Sequence, residues 1–380
     1  MKKLRAIIVG FILALLVIIG FNLYLNFQIK SHKEAFRNSR DHQRFWSSEA
    51  QKFVMDENTL PIFGSSELMP VLDYKERVCN FLNSDDMNVL TIGEGNFQSL
   101  SHAMTLGAIS DAIYSKKVAL FLSPQWFTSS GATTGFFPSK FGEDTLLTFL
   151  DNNNISKKNK EYVLNRTIDL LSESPTQRAR VLKYKSGYEN ESILNGIYTS
   201  VMRNFWKFRQ KYQAYINIKD LNEKVPKVDL KNMDYSKMLQ LAEEQGEKAS
   251  TNNDLGIYNE YWDTYVKSVY EKGEVKEKKQ VFTDSPEYED LRCFLDIAKE
   301  LGIKVLMVNI PVNEKWYTFQ GMLCDEYYKK IVNISKDYDN VVLIDMSEYG
   351  KEKYFHKDIM HLGWKGWTRI NEALYKEFKK

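Results

Sequence analysis

The sequence predicts an α/β fold in which a parallel sheet of about five strands carries helices on both faces. Five apolar runs of four or five residues end at glycine or polar residues, and amphipathic helical periodicity fills several of the intervals between them. Short apolar strands that alternate with helices are typical of a parallel sheet covered on both faces. A chain of 380 residues is long enough to bury the core of such a fold.

The predicted strands are Leu60–Phe63, Val89–Ile92, Val118–Leu122, Val305–Val308 and Val341–Ile344. Apolar residues at helical spacing predict a helix between the second and third strands, with Leu100, Met104, Ile109 and Ile113 on it. A second predicted helix begins at Ser285, with Pro286 in its first turn. The last helix carries Ile370, Ala373, Leu374 and Phe378 on one face.

The N-terminal region, residues 1–30, is predicted to be a membrane anchor. Ala6 to Leu25 forms an apolar run of 20 residues, long enough as a helix to cross a bilayer. Lys2, Lys3 and Arg5 precede this run, so the positive-inside rule predicts a cytoplasmic N-terminus and an extracellular remainder. A cleaved signal peptide is disfavoured because the run is longer than a signal h-region and no small-x-small cleavage site follows it.

Three further regions are predicted after the anchor. Residues 31–58 are polar with interspersed aromatics, a composition that indicates a juxtamembrane helix or stalk. Residues 59–380 form an extracellular domain that is interrupted by a polar, mostly helical insertion at about 140–283. This insertion follows the carboxyl end of the third strand, where α/β sheets place their sites. Three roles are compatible with the insertion: a lid over the site, a docking surface, or an extension of the scaffold without a separate function.

Composition excludes some classes of partner. The formal net charge is +2, and no basic stripe suggests nucleic-acid binding. The three cysteines, Cys79, Cys293 and Cys324, have neither paired nor metal-type spacing, so buried free thiols are expected. No cofactor is predicted.

Candidate catalytic residues lie near the two ends of the domain. Asp358 precedes His361 by three residues, so that its carboxylate can orient one imidazole nitrogen while the other accepts a proton from a nucleophile. Ser66, in the Gly-Ser-Ser-Glu-Leu turn after the first strand, is the candidate nucleophile, and Ser65 beside it is an alternative. Either serine could instead cap a helix N-terminus. The turn is not the G-x-S-x-G elbow of α/β hydrolases.

Other polar groups are expected at the same edge of the sheet. Gly95 and Gln125 close the second and third strands and are candidate donors to an oxyanion. Asn309 and Asn313 lie on a candidate substrate-side loop, and Trp364 could form a wall of the site. His356, Asp358 and His361 could alternatively bind a metal, but the spacing of the two histidines does not suit one helical face, so no metal is predicted.

These residues predict a membrane-anchored, outward-facing serine acyltransferase or esterase. The two reactions differ in whether a polymer hydroxyl or water attacks the acyl-enzyme. A catalytically silent docking protein, which presents a carrier or acceptor through the helical insertion, is a rival from another class.

Five motifs together resemble a known family. The stretches GSSEL, GEGNFQSLSHA, LFLSPQWF, IPVNEKWY and DIMHLGWKGW, behind an N-terminal anchor, resemble the DltD family of D-alanyl transfer proteins from Gram-positive bacteria. That family is similar in fold to the SGNH/GDSL hydrolases, which have a flavodoxin-like sheet. The resemblance implies that Ser66 is the nucleophile, His361 the base and Asp358 its orienting group. Gly95 would take the glycine's role, and Gln125 stands where the hydrolases usually have asparagine.

The resemblance also implies a pathway. The chain would act in D-alanylation of lipoteichoic acid, outside the membrane. It would receive the alanyl group from the membrane-bound O-acyltransferase DltB through a small membrane peptide, and pass it to glycerol-phosphate hydroxyls of the polymer. The alternatives are a surface-polymer esterase or thioesterase with the same triad, and a non-catalytic docking protein of the pathway.

Overall fold

The computed structural model describes residues 2–38, 47–68, 77–220, 225–275 and 280–380. The strands in these ranges are β1 (Thr59–Phe63), β2 (Asn88–Ile92), β3 (Lys117–Leu122), β4 (Gln280–Val281), β5 (Lys304–Asn309), β6 (Met322–Leu323) and β7 (Val341–Asp345). The helices up to the middle of the chain are α1 (Lys2–Ser31), α2 (Lys33–Asn38), α3 (Ser48–Val54), α4 (Val78–Phe81), α5 (Ser99–Ile109), α6 (Phe137–Lys140), α7 (Glu143–Leu150), α8 (Lys157–Leu170) and α9 (Pro175–Tyr188). The remaining helices are α10 (Ile193–Ile218), α11 (Tyr235–Ala249), α12 (Asn259–Tyr261), α13 (Lys267–Glu271), α14 (Glu287–Glu300), α15 (Glu314–Phe319), α16 (Asp325–Lys336) and α17 (Trp364–Lys379).

The main sheet has five parallel strands in the order β2-β1-β3-β5-β7. Counted among themselves, these strands have the order 2-1-3-4-5, which is the flavodoxin-like arrangement. β4 and β6 form a separate two-stranded parallel pair. The five predicted strands are confirmed, and each boundary lies within one residue of the prediction. The predicted fold class is therefore correct.

The two faces of the sheet bury alternate residues of the same strands. Leu120 and Leu122 of β3 lie in one hydrophobic core with α5, α7, α8, α14 and α16. Ala119 and Phe121 lie in a second core, with α4 and α17. Successive side chains of a strand point to opposite faces, so an unbroken apolar run contributes apolar side chains to both cores. This explains why the central strands are apolar throughout.

The three predicted helices correspond to α5, α14 and α17. The α5 helix ends at Ile109, and Ile113 follows after a single 3₁₀ turn, Ser110–Ala112. The regular part of α14 begins at Glu287, whose backbone N–H donates to the Ser285 hydroxyl at 3.2 Å. Ser285 therefore satisfies a free amide at the helix start, as expected for a capping serine.

The region between β3 and β5 is mostly helical, as predicted for the insertion. Before the short strand β4 it contains the eight helices α6 to α13 of the described residues, and α14 follows β4. Val163, Leu164 and Ile168 of α8, together with Leu171 directly after it, are all buried in the first core. The insertion therefore extends that core over one face of the sheet.

Helix α1 is long and apolar enough to cross a bilayer. Its most apolar window of 18 residues has a mean hydropathy of 2.8, and none of that window is buried against the rest of the chain. Burial begins only in the last turns of the helix, at Leu25 and Ile29. A single-pass membrane anchor is compatible with this helix.

The segment predicted to be a juxtamembrane stalk packs against the domain in its described parts. Phe36 of α2, together with Ala50 and Val54 of α3, lies in the first core. The Ser48 N–H and hydroxyl both donate to the Asp144 carboxylate of α7, at 3.0 and 2.8 Å. Residues 39–46 lie outside the described part of the chain. Phe36, Ala50 and Val54 are therefore core residues, which a free stalk would leave in water.

Candidate active site

The serine turn begins where β1 ends against β2. The Gly64 N–H donates to the Ile92 carbonyl at 3.0 Å, and Ser66 is the first residue of a 3₁₀ turn, Ser66–Leu68. Gly93, directly after β2, has a φ of 134°, and a Cβ atom placed there would lie 1.8 Å from the Gly64 carbonyl oxygen. Only glycine allows both this conformation and this approach. Gly93, which sequence analysis did not single out, thus sets how closely the two turns pack.

Ser66, His361 and Asp358 form a continuous chain of hydrogen bonds. Nε2 of His361 lies 2.8 Å from the Ser66 hydroxyl, and Nδ1 of His361 lies 2.8 Å from Oδ2 of Asp358. Ser66 is half-buried, and the His361 side chain is 25% exposed. The structure therefore brings together the three residues predicted to be catalytic, with the imidazole partly exposed to solvent.

Backbone amides fix the Asp358 carboxylate. Its Oδ1 atom accepts from the N–H groups of Met360 and His361, at 2.8 and 2.7 Å. Burial of Asp358 opposes its ionisation, but the bonds from the His361 side chain and these two amides hold its pKa below the usual value. An ionised Asp358 favours the His361 tautomer with the proton on Nδ1. Nε2 is then free to accept from the Ser66 hydroxyl.

Ser65 and Glu67, on either side of Ser66, make contacts that hold the turn. Ser65 is buried, and its hydroxyl donates to the Glu94 carbonyl at 3.2 Å. The Ser65 N–H donates to Oε1 of Glu67 at 2.6 Å. Burial raises the pKa of Glu67, while backbone N–H groups and the nearby His361 oppose that rise. The Ser65 hydroxyl is thus committed to the neighbouring loop, and the hydroxyl facing the imidazole is that of Ser66.

A buried histidine lies beneath the serine turn. His102 of α5 is fully buried, and its ring packs against the rings of Phe63, Phe97 and Trp126 at centroid distances of 5.4 to 5.9 Å. Burial lowers its pKa to about 3, although the Gly64 backbone partly offsets this effect. His102 is therefore neutral at physiological pH. Sequence analysis had no signal for this residue beyond its presence in one family motif.

The two predicted oxyanion donors lie in different surroundings. Gly95 is half-buried in the turn after β2, next to Glu94, which accepts from Ser65. Gln125 lies in the 3₁₀ turn Pro124–Phe127, where its Nε2 atom is buried. Burial raises the pKa of the Tyr317 hydroxyl, and a hydrogen bond with the Gln125 side chain offsets part of that rise. Gln125 also borders a cavity of about 160 Å³, whose lining does not include Ser66 or His361. An amide side chain at this edge of the sheet is the kind of donor that an oxyanion needs.

The predicted substrate-side residues face inward. Asn309 is fully buried at the end of β5 and donates from Nδ2 to Asp345 of the neighbouring strand at 2.9 Å. Asn313 is the N-cap of α15, where its Oδ1 accepts from the Trp316 N–H at 3.2 Å. Its Nδ2 donates to the Leu255 carbonyl at 2.9 Å. Both amides thus hold parts of the protein together.

The end of the insertion packs on the loop that carries Asp358 and His361. Trp364, half-buried at the start of α17, stacks on Tyr258 with a centroid distance of 4.7 Å. The Tyr258 N–H donates to the Lys357 carbonyl at 2.9 Å. Burial raises the pKa of Tyr261 to about 12, and the Asp358 charge contributes to that rise. This part of the insertion therefore helps to hold the loop.

The alternative metal site does not form in the described residues. Asp358 and His361 bond to each other, whereas His356 is buried and its Nε2 lies 2.9 Å from the Pro311 carbonyl. Burial lowers the His356 pKa to about 4, so this ring is neutral at physiological pH and donates to that carbonyl. Across residues 2–38, 47–68, 77–220, 225–275 and 280–380, no group of three or more His, Cys, Asp or Glu side chains could hold a metal ion.

The strand order, the serine after β1 and the aspartate and histidine before the last helix define an α/β protein of the SGNH-hydrolase-like class. The family model described as "DltD protein" matches residues 38–379, and the chain belongs to this family. It is 28% identical over 347 residues to Protein DltD of Bacillus subtilis (strain 168), which covers 86% of this chain and 84% of that protein. It is 26% identical over 331 residues to Protein DltD of Staphylococcus aureus (strain NCTC 8325 / PS 47), with coverage of 84% and 81%. Protein DltD of Lacticaseibacillus rhamnosus is likewise 26% identical over 331 residues, with coverage of 84% and 78%. Membership of the family supports involvement in the D-alanylation of teichoic acid.

Proposed function

We propose that this chain is a membrane-anchored serine acyltransferase that transfers D-alanine to lipoteichoic acid on the outer side of the membrane. The observation that carries this proposal is the hydrogen-bonded series from the Ser66 hydroxyl through the His361 imidazole to the Asp358 carboxylate. Such a series activates a weak alcohol nucleophile at neutral pH. The identification of the acyl group as D-alanine comes from membership of the DltD family.

The reaction has two steps. In the first, Oγ of Ser66 attacks the carbonyl carbon of the alanyl donor while its proton passes to Nε2 of His361. The donor's leaving group then takes that proton, and an alanyl ester remains on Ser66. In the second, a polymer hydroxyl gives its proton to Nε2 and attacks this ester, and the proton then passes from Nε2 to the departing Oγ of Ser66, which restores the free serine. Gln125 and the Gly95 N–H would stabilise the oxyanion in both steps.

The direction of the chain in the membrane is part of the proposal. Lys2, Lys3 and Arg5 precede the apolar part of α1 and favour a cytoplasmic N-terminus, which leaves the α/β domain outside. The immediate partners would be the O-acyltransferase DltB and the small membrane peptide of the pathway as the source of the alanyl group. Lipoteichoic acid would be the acceptor.

The test combines cells and purified protein. Ester-linked D-alanine on lipoteichoic acid is measured in cells that lack this chain and that carry either the wild type or Ser66→Ala at equal protein levels. The full chain in detergent is assayed separately with a chromogenic acyl ester. The proposal requires that Ser66→Ala removes both the D-alanine and the ester cleavage. Restoration of D-alanine by Ser66→Ala would instead identify a docking protein, and a rise in D-alanine without the chain would identify an esterase.

A chemical test separates serine from metal chemistry. A serine-directed phosphonate should label the wild type once, at Ser66, and should fail to label Ser66→Ala. Ester cleavage should survive treatment with EDTA. Loss of activity in EDTA that zinc restores would contradict the serine mechanism.

A further inference from the structure

Helix α10, within the insertion, exposes an unusual amount of apolar surface. Five side chains in its N-terminal half, Ile193, Leu194, Ile197, Val201 and Phe205, are between 51% and 84% exposed. They recur mainly every fourth residue, so they form one stripe along the helix. An exposed contiguous apolar surface indicates a contact with another molecule or with a membrane.

This stripe lies on the same face of α10 that contacts the anchor helix α1. At 100° per residue, Phe208, Lys211, Tyr212 and Tyr215 share the angular range of the exposed stripe. The Phe21 ring of α1 lies 5.9 Å from the Phe208 ring and 6.0 Å from the Tyr212 ring. The C-terminal half of the stripe face is therefore partly covered by α1, with Tyr212 still 42% exposed, and the N-terminal half is more exposed.

The two helices pass each other in broadly the same direction. Phe21 contacts Phe208 and Tyr212, whereas Tyr24, one turn later in α1, contacts Tyr215 through a hydroxyl–hydroxyl distance of 3.1 Å. The N-terminal part of α1, before this crossing, is the apolar run. The N-terminal half of α10, before the same crossing, carries the exposed stripe. The stripe thus points to the same side of the domain as the membrane-spanning part of α1.

A buried polar contact fixes the crossing. Nζ of Lys211 donates to Oδ1 of Asn22 at 2.7 Å and to Oδ1 of Asn26 at 2.8 Å, and it also pairs with Glu49 of α3 at 2.5 Å. Lys211 is buried, so the loss of any of these partners would leave a poorly compensated charge. The position of α10 relative to the anchor is therefore specified by the fold.

The charges of α10 fit a lipid surface. Its 26 residues include four basic and no acidic side chains, and two of the basic ones, Arg203 and Lys211, pair with Asp151 and Glu49. On the helical wheel, Lys207 and Arg209 lie at opposite edges of the apolar stripe, the arrangement of helices that lie in the headgroup region. Glu189 and Glu191, in the turn before α10, oppose deep insertion of the helix tip. The charges therefore favour a shallow position.

We infer that the exposed stripe of α10 binds the bilayer, as a second membrane contact beside α1 in which the N-terminal half of the helix reaches the boundary between headgroups and acyl chains. The inference rests on the proposed location of α1 in the membrane. With two contacts, one spanning and one on the surface, the domain cannot rotate freely about its anchor. The Ser66 site is then held at a fixed height and orientation above the lipid, where a membrane-attached acyl donor and acceptor can reach it.

Spin-label accessibility in vesicles tests this inference on the full chain. The native cysteines Cys79, Cys293 and Cys324 are buried and free, so an introduced surface cysteine can be labelled selectively. Nitroxides are placed at Ile197→Cys and Val201→Cys on the stripe. Leu13→Cys in α1 reports the anchor, and Glu247→Cys, which is exposed on α11 across the sheet, reports water. Each variant is reconstituted in vesicles that contain phosphatidylglycerol, and collision rates with oxygen and with a water-soluble nickel complex are compared.

The expected ratio of oxygen to nickel collisions is highest at position 13, intermediate at 197 and 201, and lowest at 247, with a difference of several-fold between 197 and 247. A lipid-like value at 13 with water-like values at 197 and 201 would overturn the inference and leave the anchor intact. Spin–spin broadening at 201, with both reagents excluded, would show a second copy on the stripe and would also overturn it. A water-like value at 13 would remove the anchor itself, and the inference with it.

Discussion

The Ser66 hydroxyl lies 2.8 Å from Nε2 of His361, although 295 residues separate the two in the chain. Ser66 follows β1, a central strand, and His361 precedes α17, the last helix, which packs on one face of the sheet. Parallel strands bring their carboxyl ends to one edge, so both turns open on the same side. The fold therefore brings residues from near the two ends of the domain to one site.

Ser66, His361 and Asp358 should act as one unit. Ser66→Ala and His361→Ala should each lower kcat/KM for ester cleavage by at least about 1,000-fold, and the double variant should be little worse, because the serine is weak without its base. Asp358→Asn should be milder, since it disturbs the tautomer and orientation of His361. Steady-state kinetics with the chromogenic ester measure all four variants.

Ser65→Ala is the matched control for this series. It should lower the free energy of unfolding by about 1 kcal/mol, through loss of the bond to the Glu94 carbonyl, and should retain most of the activity. An inactive Ser65→Ala beside an active Ser66→Ala would shift the nucleophile by one residue. Additive losses in the double variant Ser66→Ala, His361→Ala would contradict a coupled triad.

Gln125 should affect catalysis more than it affects the stability of the fold. Gln125→Met keeps the length of the side chain and removes the amide donor, so kcat should fall by about 100-fold if Gln125 stabilises the oxyanion. The free energy of unfolding should fall by at most about 1 kcal/mol, through loss of the hydrogen bond with the Tyr317 hydroxyl. Kinetics and thermal unfolding of the same preparation separate the two effects. Unchanged kcat in Gln125→Met would leave the backbone N–H groups as the donors.

Asn313 should stabilise the protein through its two bonds. Asn313→Ala removes the N-cap of α15 and the bond to the Leu255 carbonyl, and should lower the free energy of unfolding by about 2 kcal/mol. Asn313→Asp keeps the capping oxygen and loses only the amide donor, so its loss of stability should be smaller. Denaturant unfolding of both variants measures the difference. A raised KM in Asn313→Ala with unchanged stability would instead restore the substrate-side role predicted from the sequence.

The buried neutral His102 should make the protein less stable in acid. Its pKa is about 3 in the folded protein and 6.5 ordinarily, so the unfolded chain binds a proton that the folded chain refuses between these values. Stability therefore falls as the pH drops below 6.5, by about 2 kcal/mol at pH 5 from this group. Thermal unfolding at pH 7.5 and pH 5.0 measures the loss.

His102→Phe should reduce that loss, because phenylalanine keeps the ring contacts and has no proton to bind. The quantity compared between the wild type and His102→Phe is the difference in Tm between pH 7.5 and pH 5.0. Any effect of the substitution on Tm that is the same at both pH values therefore cancels. His356, with a pKa of about 4 in the folded protein, should contribute in the same direction and remain in the variant. An equal drop in Tm in the wild type and in His102→Phe would contradict the buried neutral state of His102.

Several features of the fold follow from short-range patterns in the sequence. The apolar runs at β1, β2, β3, β5 and β7 predict the parallel sheet because strands buried on both faces must be apolar throughout. The anchor is predicted by the length and hydropathy of α1 alone. The candidate triad residues can be proposed because Ser66 lies in the turn after the first strand and Asp358 precedes His361 by three residues.

The site itself depends on contacts between distant segments, which no local pattern encodes. Gly93 requires glycine because the Gly64 carbonyl passes beside it, and only the pairing of β1 with β2 brings that carbonyl there. The sequence predicts that Asn309 and Asn313 lie on a substrate-side loop. Their hydrogen-bond partners, Asp345 and the Leu255 carbonyl, come from distant parts of the chain.

The sequence by itself therefore determined the class of fold, the long apolar helix at the N-terminus and the candidate residues for catalysis, because hydrophobic periodicity is a local property of the chain. Tertiary structure decided which side chains meet: that the hydroxyl of Ser66, rather than that of Ser65, faces His361, and that the insertion reaches the loop of Asp358 and His361 through Tyr258. Tertiary structure also left half of the apolar face of α10 uncovered beside α1. These outcomes depend on chain reversals and packing across the sheet, where the partner of each group is chosen by distance in space.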